Sequence, residues 1–347
     1  MSDRSSRAAQ LERLIAGQDL SGEEADALMR GWIAQEIDPV VTGALLTALR
    51  CKGLSGEELA AMAAVLRQHC DLPAPRPELP LIDTCGTGGA GFDSFNISTA
   101  VAFTAAACGA HVAKHGNRSA SGRVGSADVL EALGLPLGAP QERVIAAVER
   151  TGVTFLFAPG WHPALVGLVP LRRALGIRTV FNLLGPLVNP LRPDAHVLGV
   201  ARPDLLDPMA EALRRLGQGR AIVVHGHGGL DEATLSGPSE LRLLENGEIR
   251  SDRLDPAGLG LALAPLSAIA GGDLEENRRI LEQVLQGQAA EAHTDVVALN
   301  AALVLWVAGR SDTIAEGLEQ ARASLAAGDP WQRLLALREA LAEPAGG

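Results

Sequence analysis

Between Asp83 and Leu133 the chain sets two glycine- and hydroxyl-rich loops, GTGGAGFDSFNIST at 86–99 and KHGNRSASGRVGSAD at 114–128, around one apolar segment, AVAFTAAAC at 100–108. The order Leu-Ile-Asp, tight glycine turn, small-residue helix leaves few folds open. It reads as a strand end feeding a helix in an α/β unit. The amino end of such a helix carries unpaired backbone donors and a positive dipole, which suits an anion. Gly86, Gly88 and Gly89 permit positive φ and close backbone approach, while Ser94, Asn96, Ser98 and Thr99 add short donors. Lys114, Arg118 and Arg123 bring positive charge to the second loop. Glycine-rich strand-to-helix turns occur in many α/β proteins merely because the turn is tight, so neither loop decides anything alone. Together they predict a ligand with two phosphorylated ends, held so that something between them reacts.

A length of 347 residues suits about two domains and a sizeable core. The net charge of -11 argues against a general nucleic-acid or membrane-surface binder, so phosphate affinity has to be local. Cys51, Cys70, Cys85 and Cys108 show neither metal-ligand spacing nor a paired framework, and MSDRSSRAAQLERL lacks an apolar signal core. No apolar run approaches the roughly 20 residues needed to span a bilayer. A cytoplasmic location is the simplest expectation. Cys85, beside the first loop, reads as a small buried hydrophobe rather than a nucleophile.

Apolar residues recurring at three and four predict helices over Ala8–Ala16, Ser21–Glu36, Asp38–Cys51 and Ser55–Cys70. DLPAPRPELP at 71–80 carries four prolines and reads as a hinge. Beyond it, candidate strands at Leu81–Asp83, Ala110–Lys114, Val153–Phe157, His196–Val200 and Ala221–His225 alternate with helical stretches, the pattern of right-handed crossovers in a mostly parallel sheet. The segment 162–190 reads as helical with proline punctuation, and DVVALNAALVLWVAG as a buried helix. The expected fold class is therefore α/β: a small all-helical domain over 1–73, to which 165–190 returns, and a larger α/β domain over 80–164 and 191–347.

GTGG, FNIST, KHGNRSAS, GSADVLEALG, FLFAP, HPAL, PLRRALGIRTVFNLLGPLVNP, HGHGGLDE and DVVALNAALVLWVAG, in that order and over nearly the whole chain, resemble the anthranilate phosphoribosyltransferases. The resemblance implies a nucleoside phosphorylase/phosphoribosyltransferase-like architecture with the cleft between the two domains, a homodimer built through the helical domain, and two Mg2+ ions. It implies transfer of phosphoribosyl from phosphoribosyl pyrophosphate to anthranilate, in tryptophan biosynthesis, without nucleic-acid or membrane partners.

Carried over position by position, the resemblance implies that Gly86, Gly89, Ala90, Ser94, Asn96, Ile97, Ser98 and Thr99 meet the phosphoribosyl donor. Lys114, His115, Gly116, Asn117, Arg118, Ser119, Ala120, Ser121, Gly122 and Ser126 follow in the second loop, with Asn117 also meeting anthranilate and Lys114 acting electrostatically. Arg172 corresponds to the arginine that takes the anthranilate carboxylate, a role suited to a planar guanidinium. Ser98, Asp231 and Glu232 correspond to the magnesium ligands. No residue is expected to work as an acid or base: anthranilate's amine is already neutral, and His115 reads as shaping its loop. In isolation Asp231-Glu232 reads equally as an exposed acidic turn, and His225 with His227 lacks standard zinc spacing.

Three positions depart from the family pattern. Ala90 replaces the aspartate of GTGGD, Gly122 a second serine, and Val166 a lysine after HPAL. Removal of the carboxylate at 90 is expected to weaken metal or donor binding without ending catalysis, with Asp93 as a partial substitute. A pyrimidine-nucleoside phosphorylase, a non-catalytic nucleic-acid-binding relative and a transferase for another aromatic acceptor stay open as alternatives.

Overall fold

The computed structural model describes residues 2–119 and 124–342. Four helices come first: α1 (Ser2–Ile15), α2 (Gly22–Ile33), α3 (Pro39–Lys52) and α4 (Gly56–Gln68). Their starts are set locally. Ser21 with Glu24 and Ser55 with Glu58 form reciprocal capping boxes, and Asp38 caps α3 ahead of Pro39. Residues 71–80 are irregular, as four prolines dictate, and Arg76 ties them to the Leu191 carbonyl and to Asp194.

The chain then runs β1 (Leu81–Asp83), α5 (Ile97–Ala107), β2 (His111–Gly116), α6 (Ser126–Ala132), α7 (Gln141–Thr151) and β3 (Val153–Phe157). Short helices α8 (Ala158–Trp161), α9 (Val169–Leu175) and α10 (Phe181–Leu184), with 3-10 turns between them, cover the stretch expected to be helical with proline breaks. β4 (Ala195–Gly199), α11 (Leu206–Arg215), β5 (Arg220–His225), β6 (Ser239–Glu245) and β7 (Glu248–Leu254) follow, and α12 (Leu274–Leu285), α13 (Glu291–Val307), α14 (Ile314–Ala327) and α15 (Asp329–Ala342) close the chain.

One seven-stranded sheet has the order β3-β2-β1-β4-β5-β6-β7. The first five strands are parallel; β6 and β7 pair antiparallel with their neighbours. That hairpin is absent from the sequence expectation, although Asn246 and Gly247, at φ 53° and 81°, form the two-residue turn that joins such strands. From β1 the chain winds outward to β2 and β3, then returns to β4 on the other side of β1. A switch point therefore lies between β1 and β4, where open α/β sheets form a crevice beyond their strand ends.

Two cores flank this arrangement. One lies around α5 and α13, both apolar on nearly every face, and takes in side chains from every strand of the sheet. In the other, Leu168, Val180, Phe181 and Leu184 join Leu28, Trp32, Leu45 and Leu49 of the amino-terminal helices, together with Met209 and Leu213 of α11 and Leu198 and Val223 of the sheet. Residues 168–188 are thus held by the helices while standing over the crevice.

Candidate active site at the switch point

Three segments meet at the crevice: 84–96 after β1, 117–119 with 124–125 after β2, and 226–235 after β5. The first is fixed at both ends. The Thr87 amide donates to the Gly199 carbonyl at the end of β4 (2.9 Å), and the Gly88 amide to Asp231 Oδ2 (2.7 Å). Gly88 and Gly89 have φ of 63° and 84°, which L side chains rarely adopt. A Cβ on Gly86 would lie 2.5 Å from Asp231 Oδ2, so only glycine lets loop and carboxylate meet. Helix α5 begins at Ile97, three residues before the expected start, and no side chain caps it. Ser98 and Thr99 consequently belong to its first turn.

Lys114 projects from β2 between these parts, donating to the Thr84 carbonyl (3.0 Å) and the Ser98 hydroxyl (3.1 Å). His115 is buried; its Nδ1 lies 3.0 Å from the Gly185 carbonyl, and its ring meets His162 edge-on. Burial holds both imidazoles below their ordinary range, His162 down to about 3, so they sit as neutral rings. Burial pushes the Cys85 thiol up to about 12, which keeps it a poor nucleophile at neutral pH.

The acidic pair is held by the buried helix behind it. Asn300 of α13 accepts from the Ala233 amide (2.9 Å) and donates to the Ala233 carbonyl (2.8 Å), pinning the residue after Glu232. A Cβ on Gly199 would come within 1.5 Å of the Asp231 carbonyl, so the turn lies directly on the end of β4. Glu232 is pushed well above the ordinary carboxylate range, first by burial and then by Asp231, with Lys114 opposing. Its Oε2 is buried and has no hydrogen-bond partner among the described residues.

That orphaned oxygen beside a second carboxylate and the Ser98 hydroxyl fits a hard divalent cation. Among the described residues no group of three or more His, Cys, Asp or Glu is placed for metal binding. Magnesium does not require one, since it commonly takes one or two carboxylates and completes its shell with water and substrate phosphates. His225 and His227 instead contact the Val200 carbonyl and the Ser236 hydroxyl.

The resulting cleft, about 400 Å3, gathers most of the expected residues: Gly86, Gly89, Ala90, Ser94, Asn96, Ser98, Lys114, His115, Gly116, Asn117, Arg118, Ser119, Ser126, Arg172, Asp231 and Glu232 all line it. Ile97 and Thr99 do not; both side chains are fully buried because the earlier helix start turns them inward. Ala120, Ser121 and Gly122 lie outside the described residues. Arg118 is paired with Asp128 (2.6 Å) and Glu131 (2.8 Å), which hold it at the rim. Arg172 stands over the Phe181 ring at 5.3 Å with no carboxylate partner among the described residues, and burial lowers its pKa. Arg178, which sequence reasoning passed over, also lines the cleft.

Residues 9–70 match the helical bundle domain, and 78–330 the a/b domain, of a glycosyl transferase family. An anthranilate phosphoribosyltransferase of Synechococcus sp. (strain CC9311) is 66% identical over 331 residues, covering 95% of each chain. The crystal structure of anthranilate phosphoribosyltransferase from Thermus thermophilus aligns with TM-score 0.88 at 46% identity, covering 96% of this chain and 99% of that one. The Saccharomyces cerevisiae enzyme in complex with PRPP and Mg aligns with TM-score 0.86 at 26% identity, over 97% and 98%.

Proposed function

This chain belongs to the anthranilate phosphoribosyltransferase family, and from that premise we propose that its switch-point cleft transfers the phosphoribosyl group of phosphoribosyl pyrophosphate to the amine of anthranilate, a step of tryptophan biosynthesis. The products are N-(5-phosphoribosyl)anthranilate and pyrophosphate. One observation carries the reading: the glycine loop, the Lys114–Ser98 contact and the half-buried Asp231-Glu232 turn converge on a single cleft that Arg172 overlooks.

Cleavage at ribose C1 leaves a cation-like sugar and a departing polyanion. The chain meets the polyanion with the uncapped turn of α5 and with the Lys114 ammonium, charges fixed in place before the bond breaks. Magnesium held by Asp231, Glu232 and Ser98 would supply further neutralisation of the leaving group; two ions are the family expectation, and the orphaned Glu232 oxygen supports at least one. Arg172 offers a planar donor for the acceptor's carboxylate, and among the described residues no acid is paired with it. The acceptor amine needs placement rather than deprotonation, which in well-oriented systems supplies about 7 kcal/mol or more. Neutral His115 and His162 shape the wall between the loops.

We read 1–73 with 165–190 as one lobe and 80–164 with 191–347 as the other, with 71–80 as hinge; the packing of 168–188 on the amino-terminal helices supports this. A homodimer through the helical lobe is supported by Val40 and Val166, 81% and 61% exposed, beside an apolar groove between α3 and α9. Four free cysteines support a cytoplasmic location.

The test follows anthranilate fluorescence with and without phosphoribosyl pyrophosphate and magnesium. Loss of signal only when all three are present is the expected result, and no loss under any condition would overturn the assignment.

A further inference from the structure

Arg178 takes no part in the chemistry above, yet it makes the most pointed contact with the glycine loop. Its Nη2 donates to the Thr87 carbonyl (2.6 Å) and the Gly88 carbonyl (2.9 Å). The amide of the Thr87–Gly88 peptide donates the other way, to Asp231 Oδ2 at 2.7 Å. No peptide bond is cis among the described residues, so this carbonyl and amide point in opposite directions. One peptide group is therefore clamped between a guanidinium and a carboxylate. The next is half-clamped: with the Gly88 carbonyl on Arg178, trans geometry turns the Gly89 amide away from the guanidinium. The fit is close enough that a Cβ on Gly89 would lie 2.4 Å from Arg178 Cζ.

The clamp matters because of where each partner is anchored. Arg178 leaves the chain just before Val180 and Phe181, which are buried among the amino-terminal helices, whereas Thr87 and Gly88 follow strand β1. Two adjacent glycines at positive φ have little to prevent their peptides from rotating. A rotated peptide would present a carbonyl oxygen to the diphosphate and release Asp231. A guanidinium is suited to stop this, since it always carries charge and offers several donors in one plane.

We propose that Arg178 is a positioning residue, which holds the Thr87–Gly89 peptides in the donor-binding orientation and sets Asp231 through the Thr87–Gly88 amide. The inference rests on the cleft's reading as the phosphoribosyl pyrophosphate site. Arg178 lines the donor cleft together with the loop it holds and also borders a second cavity of about 480 Å3 that Arg50 and Arg202 help to line.

The experiment compares wild type, Arg178→Met and Arg178→Lys by calorimetric uptake of phosphoribosyl pyrophosphate in excess magnesium, steady-state kinetics in both substrates and thermal melting. Hydrogen bonds to charged groups are worth enough that Arg178→Met should weaken donor uptake, and raise donor KM and the half-saturating magnesium, by about tenfold or more. Anthranilate KM should stay within about twofold, since nothing in the clamp touches Arg172, and Arg178→Lys should recover only part of the loss. Unchanged donor uptake and magnesium requirement in Arg178→Met would overturn the proposal; should that variant not fold, wild-type behaviour of Arg178→Lys would overturn it instead. Absence of donor uptake by the wild type would sink the reading of the cleft rather than the role of Arg178.

Discussion

The Lys114 ammonium lies 3.1 Å from the Ser98 hydroxyl, joining the second strand of the parallel sheet to the first turn of the helix that follows the glycine loop. It is 3% exposed, and Glu232 feels its charge. A buried ammonium placed this way costs desolvation, which is recovered when an anion arrives. Replacement by methionine keeps the length and removes the charge. Lys114→Met should lower kcat/KM for the donor by about 100-fold or more, the scale of losing one preorganised donor to a leaving group, with a melting temperature equal to or above wild type. Wild-type kinetics would show that the ammonium never meets the leaving group.

Local signals carried much of this architecture. Ser21 with Glu24 and Ser55 with Glu58 announce their helices within four residues, and all five parallel strands sit within two residues of the expected runs. The early start of α5 is hidden in the sequence because Asn96 and Ser98, on either side of Ile97, are residues typical of loops. Only packing shows Ile97 and Thr99 to be buried. The β6–β7 hairpin was legible in Asn246-Gly247 and was missed because its outer strand, EIRSDRL, is too polar to look like one. Arg178 and Asn300 are a different case: their partners lie 90 and 67 residues away, and nothing near either in sequence points to them. Family resemblance supplied the expectation that Ser98, Asp231 and Glu232 hold magnesium, and the orphaned oxygen on Glu232 is a physical reason that supports it.

Ala90 lines the cleft where the family pattern has a carboxylate, and its neighbour Asp93 lines the same cleft with a partner of its own. With Asp231, Glu232 and Ser98 still present, the alanine should shift metal affinity rather than abolish turnover. Ala90→Asp is expected to lower the half-saturating magnesium concentration without a large change in kcat at saturation. Superimposable magnesium titrations would remove any metal role from this position.

Asn300 satisfies both backbone groups of Ala233 and donates as well to the Val296 carbonyl, all in the interior of α13. Truncation leaves an amide and a carbonyl without partners in a buried place, at about 1–3 kcal/mol for each such group. Asn300→Ala should therefore melt several degrees lower and need more magnesium, because the turn bearing Asp231 and Glu232 loses its anchor. A drop in melting temperature with an unaltered magnesium titration would mean that the anchor serves stability alone.

The half-buried acid Glu232 and the buried His162 give the metal-free protein opposing pH dependences. Glu232 has its folded pKa raised above the ordinary value of 4.5 by burial and by Asp231. The folded state then binds the proton more tightly than the unfolded one, so this contribution to stability is full below pH 4.5 and is lost as pH rises through the folded value. His162 is depressed from 6.5 to about 3 by burial and by His115. Its contribution is full above pH 6.5 and is lost as pH falls toward about 3. Melting curves across this range should show Glu232→Gln losing the decline on the alkaline side and His162→Phe losing the decline on the acid side. Magnesium should flatten only the Glu232 limb, because a cation on the carboxylates favours the charged form that burial disfavours. If magnesium left that limb untouched in the wild type, Glu232 would not be a metal ligand, and the raised pKa would belong to a carboxyl that stays protonated in the working enzyme.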